Sequence, residues 1–286
     1  MNERIVVAWD GSKPSAAALE WAITHERGRH GTVDLVHIVD DSKVSSDYLA
    51  TEAILAQAHN RVDTQALLVL REEPNVRLNT HIRRGDPYDE LVELTRHDTL
   101  LIVGTSQRHG VHLRYGWSLG ARLAAGAHGP VVIVPDGTAA RERSGVFVGV
   151  DGTHTGNLAL DFAAREASRQ RETLHIVHAW TEPLAWHEGA VPDDDLVESL
   201  EIAHQSVLDE TVTLLRASHP SLDFTPHLLR QDPALALLQL AGSAALLVVG
   251  TRQRHGLTRA WMGSVSHAVI LDIVCPTAVI APEEHQ

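Results

Sequence analysis

The sequence predicts an α/β protein built from two tandem, open-sheet, doubly wound domains, each a five-stranded parallel sheet flanked by helices. Three observations carry this: the chain repeats itself once, strand-length apolar runs alternate with helix-length segments in each copy, and a polar, breaker-rich stretch separates the copies. The repeat begins with Val7-Ala8-Trp9-Asp10-Gly11-Ser12, answered by Val148-Gly149-Val150-Asp151-Gly152-Thr153, and the same spacing carries Leu19 onto Leu160 and Val36-His37 onto Val177-His178. The separation then lengthens by five residues and stays fixed. Asp86-Pro87 matches Asp232-Pro233, Gly104-Thr105 matches Gly250-Thr251, Gln107-Arg108-His109-Gly110 matches Gln253-Arg254-His255-Gly256, and Pro130 matches Pro276. The domains expected are residues 1–136 and 145–286, joined by a linker over 137–144.

In the first copy the expected strands are residues 5–8, 33–39, 76–82, 100–103 and 131–134. After the first strand, Ser12 can cap a helix whose first turn holds Pro14 and continues through Ala16-Ala17-Ala18-Leu19, all good helix formers. A longer helical segment covers about 46–71, and Asp86 is placed to cap another helix with Pro87 in its first position. Helical segments between strands imply parallel pairing with crossovers, and such sheets take ligands beyond the carboxyl ends of their strands.

The composition narrows the function classes. At 286 residues, with 44% hydrophobic and 21% charged residues, the chain has the make-up of folded globular domains. A net charge of −13, without a basic run to track a phosphate backbone, argues against nucleic acid as a partner and against an anionic membrane surface. Cys275 is the single cysteine, so no internal disulfide forms and a reducing compartment suits the chain. Met1-Asn2-Glu3-Arg4 runs straight into a strand pattern without the look of a signal peptide, and the apolar runs at 131–134 and 244–249 are strand-length, so a cytoplasmic protein is expected.

The segment with chemical promise lies in the second copy. There Leu247-Val248-Val249 ends in Gly250, and Gly263-Ser264-Val265-Ser266 opens a helix some residues later. A glycine at a strand end lets a phosphate approach the backbone, while Ser264 presents a hydroxyl beside free amide donors at the positive end of a helix dipole. Asp151, ending the first strand of the same copy, can accept hydrogen bonds from a ribose or help hold a metal-bound phosphate; as part of an Asp-Gly pair it reads equally well as a turn residue, and so does Asp10.

The duplicated Asp-Gly-Ser/Thr start, the Asp-Pro helix start and the Gly…Gly-Ser loop resemble, over nearly the whole chain, the tandem-domain form of the universal stress protein family. ATP-binding members of that family carry Gly-x2-Gly-x9-Gly-Ser/Thr, and Gly250, Gln253 and Gly263-Ser264 stand at those spacings, with glutamine in place of the middle glycine. A glutamine amide can donate to a phosphate. The resemblance implies a second-domain nucleotide site of Asp151, Ala179 at the adenine-facing backbone position, Gly250, Gln253, Gly263, Ser264 and Val265. Its first-domain counterparts are Asp10, Ile38, Gly104, Gln107 and Ser118, but Trp117 replaces the third glycine there and is expected to fill the pocket or push a ligand away.

The implied function is a stress-response regulator that binds ATP, ADP or AMP, with or without Mg, mainly in the second domain, and forms homo-oligomers. No nucleophile–base pair or metal cluster accompanies the loop, so an enzyme is not expected. A nucleotide-free interaction module of the same fold is the alternative, favoured by the missing middle glycines. A serine hydrolase is remote: Gly116-Trp117-Ser118-Leu119-Gly120 matches a nucleophile elbow in letters, yet a loop of more than ten residues separates it from the preceding strand. Of the 19 histidines, His25 with His30 and His109 with His112 lack the carboxylate or cysteine spacing of a metal site, and His37 and His178 read as packing residues. Cys275 reads as a small buried hydrophobe.

Overall fold

A computed structural model describes residues 4–27, 31–40, 48–106, 118–138, 142–182, 194–251 and 262–282. These fall into two compact units, with the boundary between Arg141 and Glu142. In the first unit the elements run β1 (Arg4–Ala8), α1 (Lys13–Glu26), β2 (Thr32–Asp40), α2 (Tyr48–Glu72), β3 (Arg77–Gly85), α3 (Pro87–Glu93), β4 (Thr99–Thr105), α4 (Leu119–Gly126) and β5 (Val131–Pro135). The second repeats the plan with β6 (Val146–Gly149), α5 (His154–Gln170), β7 (Leu174–Trp180), α6 (Asp194–Ser218), β8 (Phe224–Arg230), α7 (Pro233–Leu240), β9 (Leu246–Gly250), α8 (Ser264–Leu271) and β10 (Thr277–Ile280).

The strands of the first unit lie in the order β3-β2-β1-β4-β5 and pair in parallel throughout. Those of the second lie in the order β8-β7-β6-β9-β10, again parallel. The central strands are apolar without alternation, as in Ile5-Val6-Val7 and Leu100-Leu101-Ile102, because helices cover both faces and both sets of side chains are buried. In each unit the chain leaves the first strand towards one edge and later returns to its other side. The switch point thus falls between β1 and β4, and between β6 and β9, where a crevice opens at the carboxyl ends.

Local sequence sets the helix starts. Ser12 accepts from the Ser15 N–H and Thr153 from the Gly156 N–H, capping α1 and α5. Asp86 and Asp232 cap α3 and α7, each followed by proline in the first turn, where a missing N–H costs nothing. α2 and α6 both run for 25 residues, so the extra length of the second copy lies outside these helices. Cys275 is buried, and burial pushes its thiol up to about 12, in keeping with a packing role. Among the described residues, no helix is long and apolar enough to cross a membrane, and no group of three or more His, Cys, Asp or Glu could hold a metal. His30, His109 and His112 lie outside the described residues.

Two features fix the ends of the sheets. At Gly104 a Cβ would run into the Pro14 carbonyl, so the first turn of α1 rests on β4 backbone to backbone; at Gly250 the same place is taken by Thr155 of α5, whose Cγ2 and carbonyl oxygen would lie 2.9 Å from a Cβ. At the opposite end of the second unit, Arg143 donates from Nη1 to the carbonyls of Gly242 (3.4 Å) and Ala244 (3.3 Å), and from Nη2 to that of Val274 (3.1 Å). It thereby ties the segment before β6 to the turn before β9 and the approach to β10.

Gly104→Ala is expected to destabilise the first unit by about 1–3 kcal/mol through overpacking, while Gly242→Ala, whose Cβ would meet nothing within 4 Å, stays near wild type in urea denaturation. Arg143→Ala strands three carbonyls and should cost about 1–3 kcal/mol in the same measurement, with Arg143→Lys recovering part of the loss.

Candidate functional site

At the switch point of the second unit lies a cavity of about 250 Å³, walled by the carboxyl ends of β6, β7 and β9 and by the first turns of α5, α7 and α8. Its lining includes Asp151, Ala179, Gly250, Gly263, Ser264 and Val265, which are six of the seven second-copy residues expected from sequence. The seventh, Gln253, lies outside the described residues.

Each wall has a local cause. Gly152 takes φ +72°, which lets the chain turn sharply out of β6, and Asp151 Oδ1 accepts from the Thr153 N–H (3.1 Å) and hydroxyl (2.5 Å). The turn reading of Asp151 is therefore realised, and the residue still reaches the cavity. The side chain of Leu237 packs against Gly149, where a Cβ would stand 2.9 Å from its Cδ1, and with Pro233, Val177 and Val249 it gives the cavity apolar lining. Polar lining comes from Thr153 and Thr155 at the start of α5 and from Ser264 and Ser266 of α8. Thr251, next to Gly250, is buried, and its hydroxyl has no hydrogen-bond partner among the described residues.

The two copies part at their last helix. In the first unit Ser118 is the N-cap of α4, and its Oγ accepts from the Ala121 N–H at 3.2 Å. In the second unit the matching Ser264 is already the first helical residue, and Gly263 is the cap, with no side-chain cap hydrogen bond among the described residues. Ser266 turns its hydroxyl away to donate to the Gly263 carbonyl (3.0 Å). Among the described residues, a Cβ on Gly263 would meet only the Ser266 Oγ, at 3.5 Å. Uncapped N–H groups at the positive end of a helix dipole on a cavity wall form a donor set for an anion.

In the first unit Asp10, Gly104 and Ser118 stand at the equivalent positions, and Ile38 lies near the end of β2. Asp10 Oδ1 accepts from the Ser12 N–H at 2.9 Å. Burial pushes the Asp10 carboxyl up, but hydrogen bonds from Ser12 and Ser15 outweigh it and hold the group below the usual carboxylate range. Arg61 of α2 donates to the Asp10 carbonyl (2.9 Å) and lies over the Trp9 ring, 5.8 Å from its centroid, so its guanidinium covers the Asp10–Gly11 turn. Against the matching Gly152 the second unit sets Val207. Gln107 and Trp117 lie outside the described residues. Ser118 follows β4 by more than ten residues and is engaged as a cap, which is not the strand-to-turn setting of a hydrolase nucleophile.

Sequence reasoning missed the contributions of α5 and α7: Thr153, Thr155, Gly156, Pro233 and Leu237. The signal was present, since the repeated Asp-Pro pair marks a helix start after a strand, and helix starts at a switch point line the crevice. The histidines expected to pack also do more, because His37 and His178 each place Nδ1 2.8 Å from a carbonyl at the end of the neighbouring first strand, those of Trp9 and Val150.

Comparison with known proteins agrees with this architecture. A universal stress protein of Mycobacterium tuberculosis is 26% identical over 311 residues, covering 97% of this chain and 95% of that protein. One of Mycolicibacterium smegmatis is 28% identical over 289 residues, covering 97% of each. The crystal structure of a universal stress protein from Archaeoglobus fulgidus superposes with a TM-score of 0.72 at 17% identity, covering 98% of this chain and 99% of that one, and so shares the fold. The model of the universal stress protein family matches residues 1–135 and again 144–281. With the motif matched twice and each match answering to one compact unit, the chain belongs to the universal stress protein family in its tandem two-domain form.

Proposed function

We propose that the protein binds an adenine nucleotide, ATP or its relatives ADP and AMP with or without Mg, in the second unit, and acts as a cytoplasmic stress-response regulator through that bound state. The observation that carries the reading is the start of α8 at Gly263, without a side-chain cap, on a cavity that Val177, Val249, Pro233 and Leu237 also line. Ser264, Val265 and Gly250 would meet the phosphates, Asp151 the ribose, and the apolar lining with the Ala179 backbone the base. The self-capped α4 and the Arg61 cover over Asp10 favour one occupied site per chain. Turnover is not part of the proposal: among the described lining residues none is a histidine, cysteine, lysine or arginine, and Asp151 stands as the sole charged group. Homo-oligomers belong to the same reading.

The alternative, an interaction module that binds no nucleotide, draws on Gly250, whose glycine is already required by the packing of Thr155. One experiment separates the two. Protein purified from cells is denatured and any released nucleotide identified, and binding of ATP, ADP and AMP is then measured by calorimetry for wild type and Gly263→Trp. Close to one nucleotide per chain, lost in the variant, is the expected result. Wild-type protein that neither carries nor binds any of the three at millimolar concentration leaves the interaction module standing. Two per chain would refute the asymmetry.

A further inference from the structure

Among the described residues, the second unit carries a pair of histidines with no counterpart in the first. In both units the histidine of the second strand sits with Nδ1 2.8 Å from a carbonyl oxygen, so Nδ1 carries the proton and Nε2 is left to accept. In the second unit Nε2 of His178 meets Nδ1 of His204, on α6, at 2.9 Å. The His204 ring stacks on Trp180, with centroids 4.6 Å apart and planes 15° from parallel. The eleventh residue of α2, matching His204 in α6, is Ala58.

The hydrogen bonds run in one direction: His204 Nδ1–H donates to His178 Nε2, and His178 Nδ1–H donates to the Val150 carbonyl. That carbonyl shares its peptide with the N–H of Asp151. Val150 and Asp151 line the cavity, as do Val177 and Ala179 on either side of His178. We propose that His178 and His204 are positioning residues for the second site, holding the Val150–Asp151 peptide in place, and that one proton taken up by the pair tightens the binding of an anionic nucleotide. The inference rests on the nucleotide reading above.

The proton bookkeeping sets the sign. In the neutral pair His204 Nε2 is unprotonated, and a proton added there leaves both bonds intact while strengthening the donation to His178 and, through it, to the carbonyl. A second proton would set N–H against N–H across the short contact. Burial first, and then the electrostatic influence of the neighbouring His178, hold His204 below the ordinary histidine value, so uptake falls on the acid side of that value. Charged and titratable groups on the elements that carry or flank the pair include, among the described residues, Glu198, Glu201, Asp209 and Glu210 of α6, Asp151 after β6, His175 of β7, and His227 and Arg230 of β8, the last lying over Trp180 and paired with Glu182. A bound anion favours the protonated pair, so by linkage affinity rises as pH falls through its titration.

The test uses the full chain labelled with ¹⁵N. Imidazole signals and the Asp151 amide are followed from pH 8 to 5.5, and the Kd of Mg-free ADP is measured at pH 7.5 and 5.5, in wild type, His204→Ala and His204→Asn. Asparagine keeps a donor near the Nδ1 position and does not titrate. The ionisation of ADP itself is common to all three proteins and cancels. Expected is an Asp151 shift that follows the His204 ring in wild type and is flat in both variants, with a gain in ADP affinity on acidification about fivefold larger in wild type than in His204→Asn. At pH 7.5 the asparagine variant should bind ADP more like wild type than the alanine variant does. An Asp151 titration indifferent to His204, or equal pH profiles in wild type and His204→Asn, overturns the proposal. If none of the three binds ADP, the nucleotide reading falls instead, and the Asp151 shift alone decides: following His204 it upholds the positioning role, and indifference ends it.

Discussion

The first turn of α1 lies backbone on backbone against Gly104, and that of α5 lies nearly as close against Gly250. Much of the architecture at the carboxyl ends hangs on this seat. It draws a helix N-terminus over the end of the fourth strand and fixes the level at which the Asp-Gly turn leaves the first strand. No side chain can substitute, because the clash begins at Cβ. A glycine is therefore demanded in both copies with or without a ligand, and its presence in the loop pattern does not by itself distinguish a binding domain from an empty one.

What distinguishes them is the start of the next helix. Serine at the cap of α4 satisfies an N–H from within the chain; glycine at the cap of α8 forgoes that hydrogen bond at a cost of a few tenths of a kcal/mol. The helix dipole is similar in both, but in one it is answered by its own side chain and in the other it faces a cavity. A shift of one residue in the cap, on otherwise matching backbones, thus exchanges a helix end bonded by its own serine for one capped by glycine on the cavity wall. Arg61 reinforces the divergence by covering the turn in the first unit that Val207 flanks in the second.

Much of this was legible in the sequence. Unbroken apolar strands, the Asp-Pro helix starts and the Asp-Gly turns each express a local rule, and together they point Asp151, Gly250, Gly263 and Ser264 to one crevice, which all four line. The contributions that escaped depend on tertiary placement. Leu237 looks like any helix leucine until Gly149 admits it to the cavity wall, and Thr155 is an unremarked helix residue until the seat on Gly250 brings it to the rim. His204 lies on the opposite side of an element boundary from His178, and no spacing rule links residues that meet only because α6 packs across β7.

The repeated histidine shows how such placement acquires meaning. Its bond to a strand-end carbonyl is common to both units and so belongs to the scaffold: it satisfies an acceptor where the ladder stops at the mouth of the crevice. Among the described residues only the second unit adds a titratable group behind it, in the same unit whose last helix begins without a side-chain cap. Both departures adjoin one cavity, the cap at the start of α8 and the histidine pair beside the peptide that carries Asp151. After duplication, one copy could keep the scaffold closed while the other gathered an anion donor set and a proton-sensitive support. The seat at the strand-end glycine stayed in both because the fold requires it.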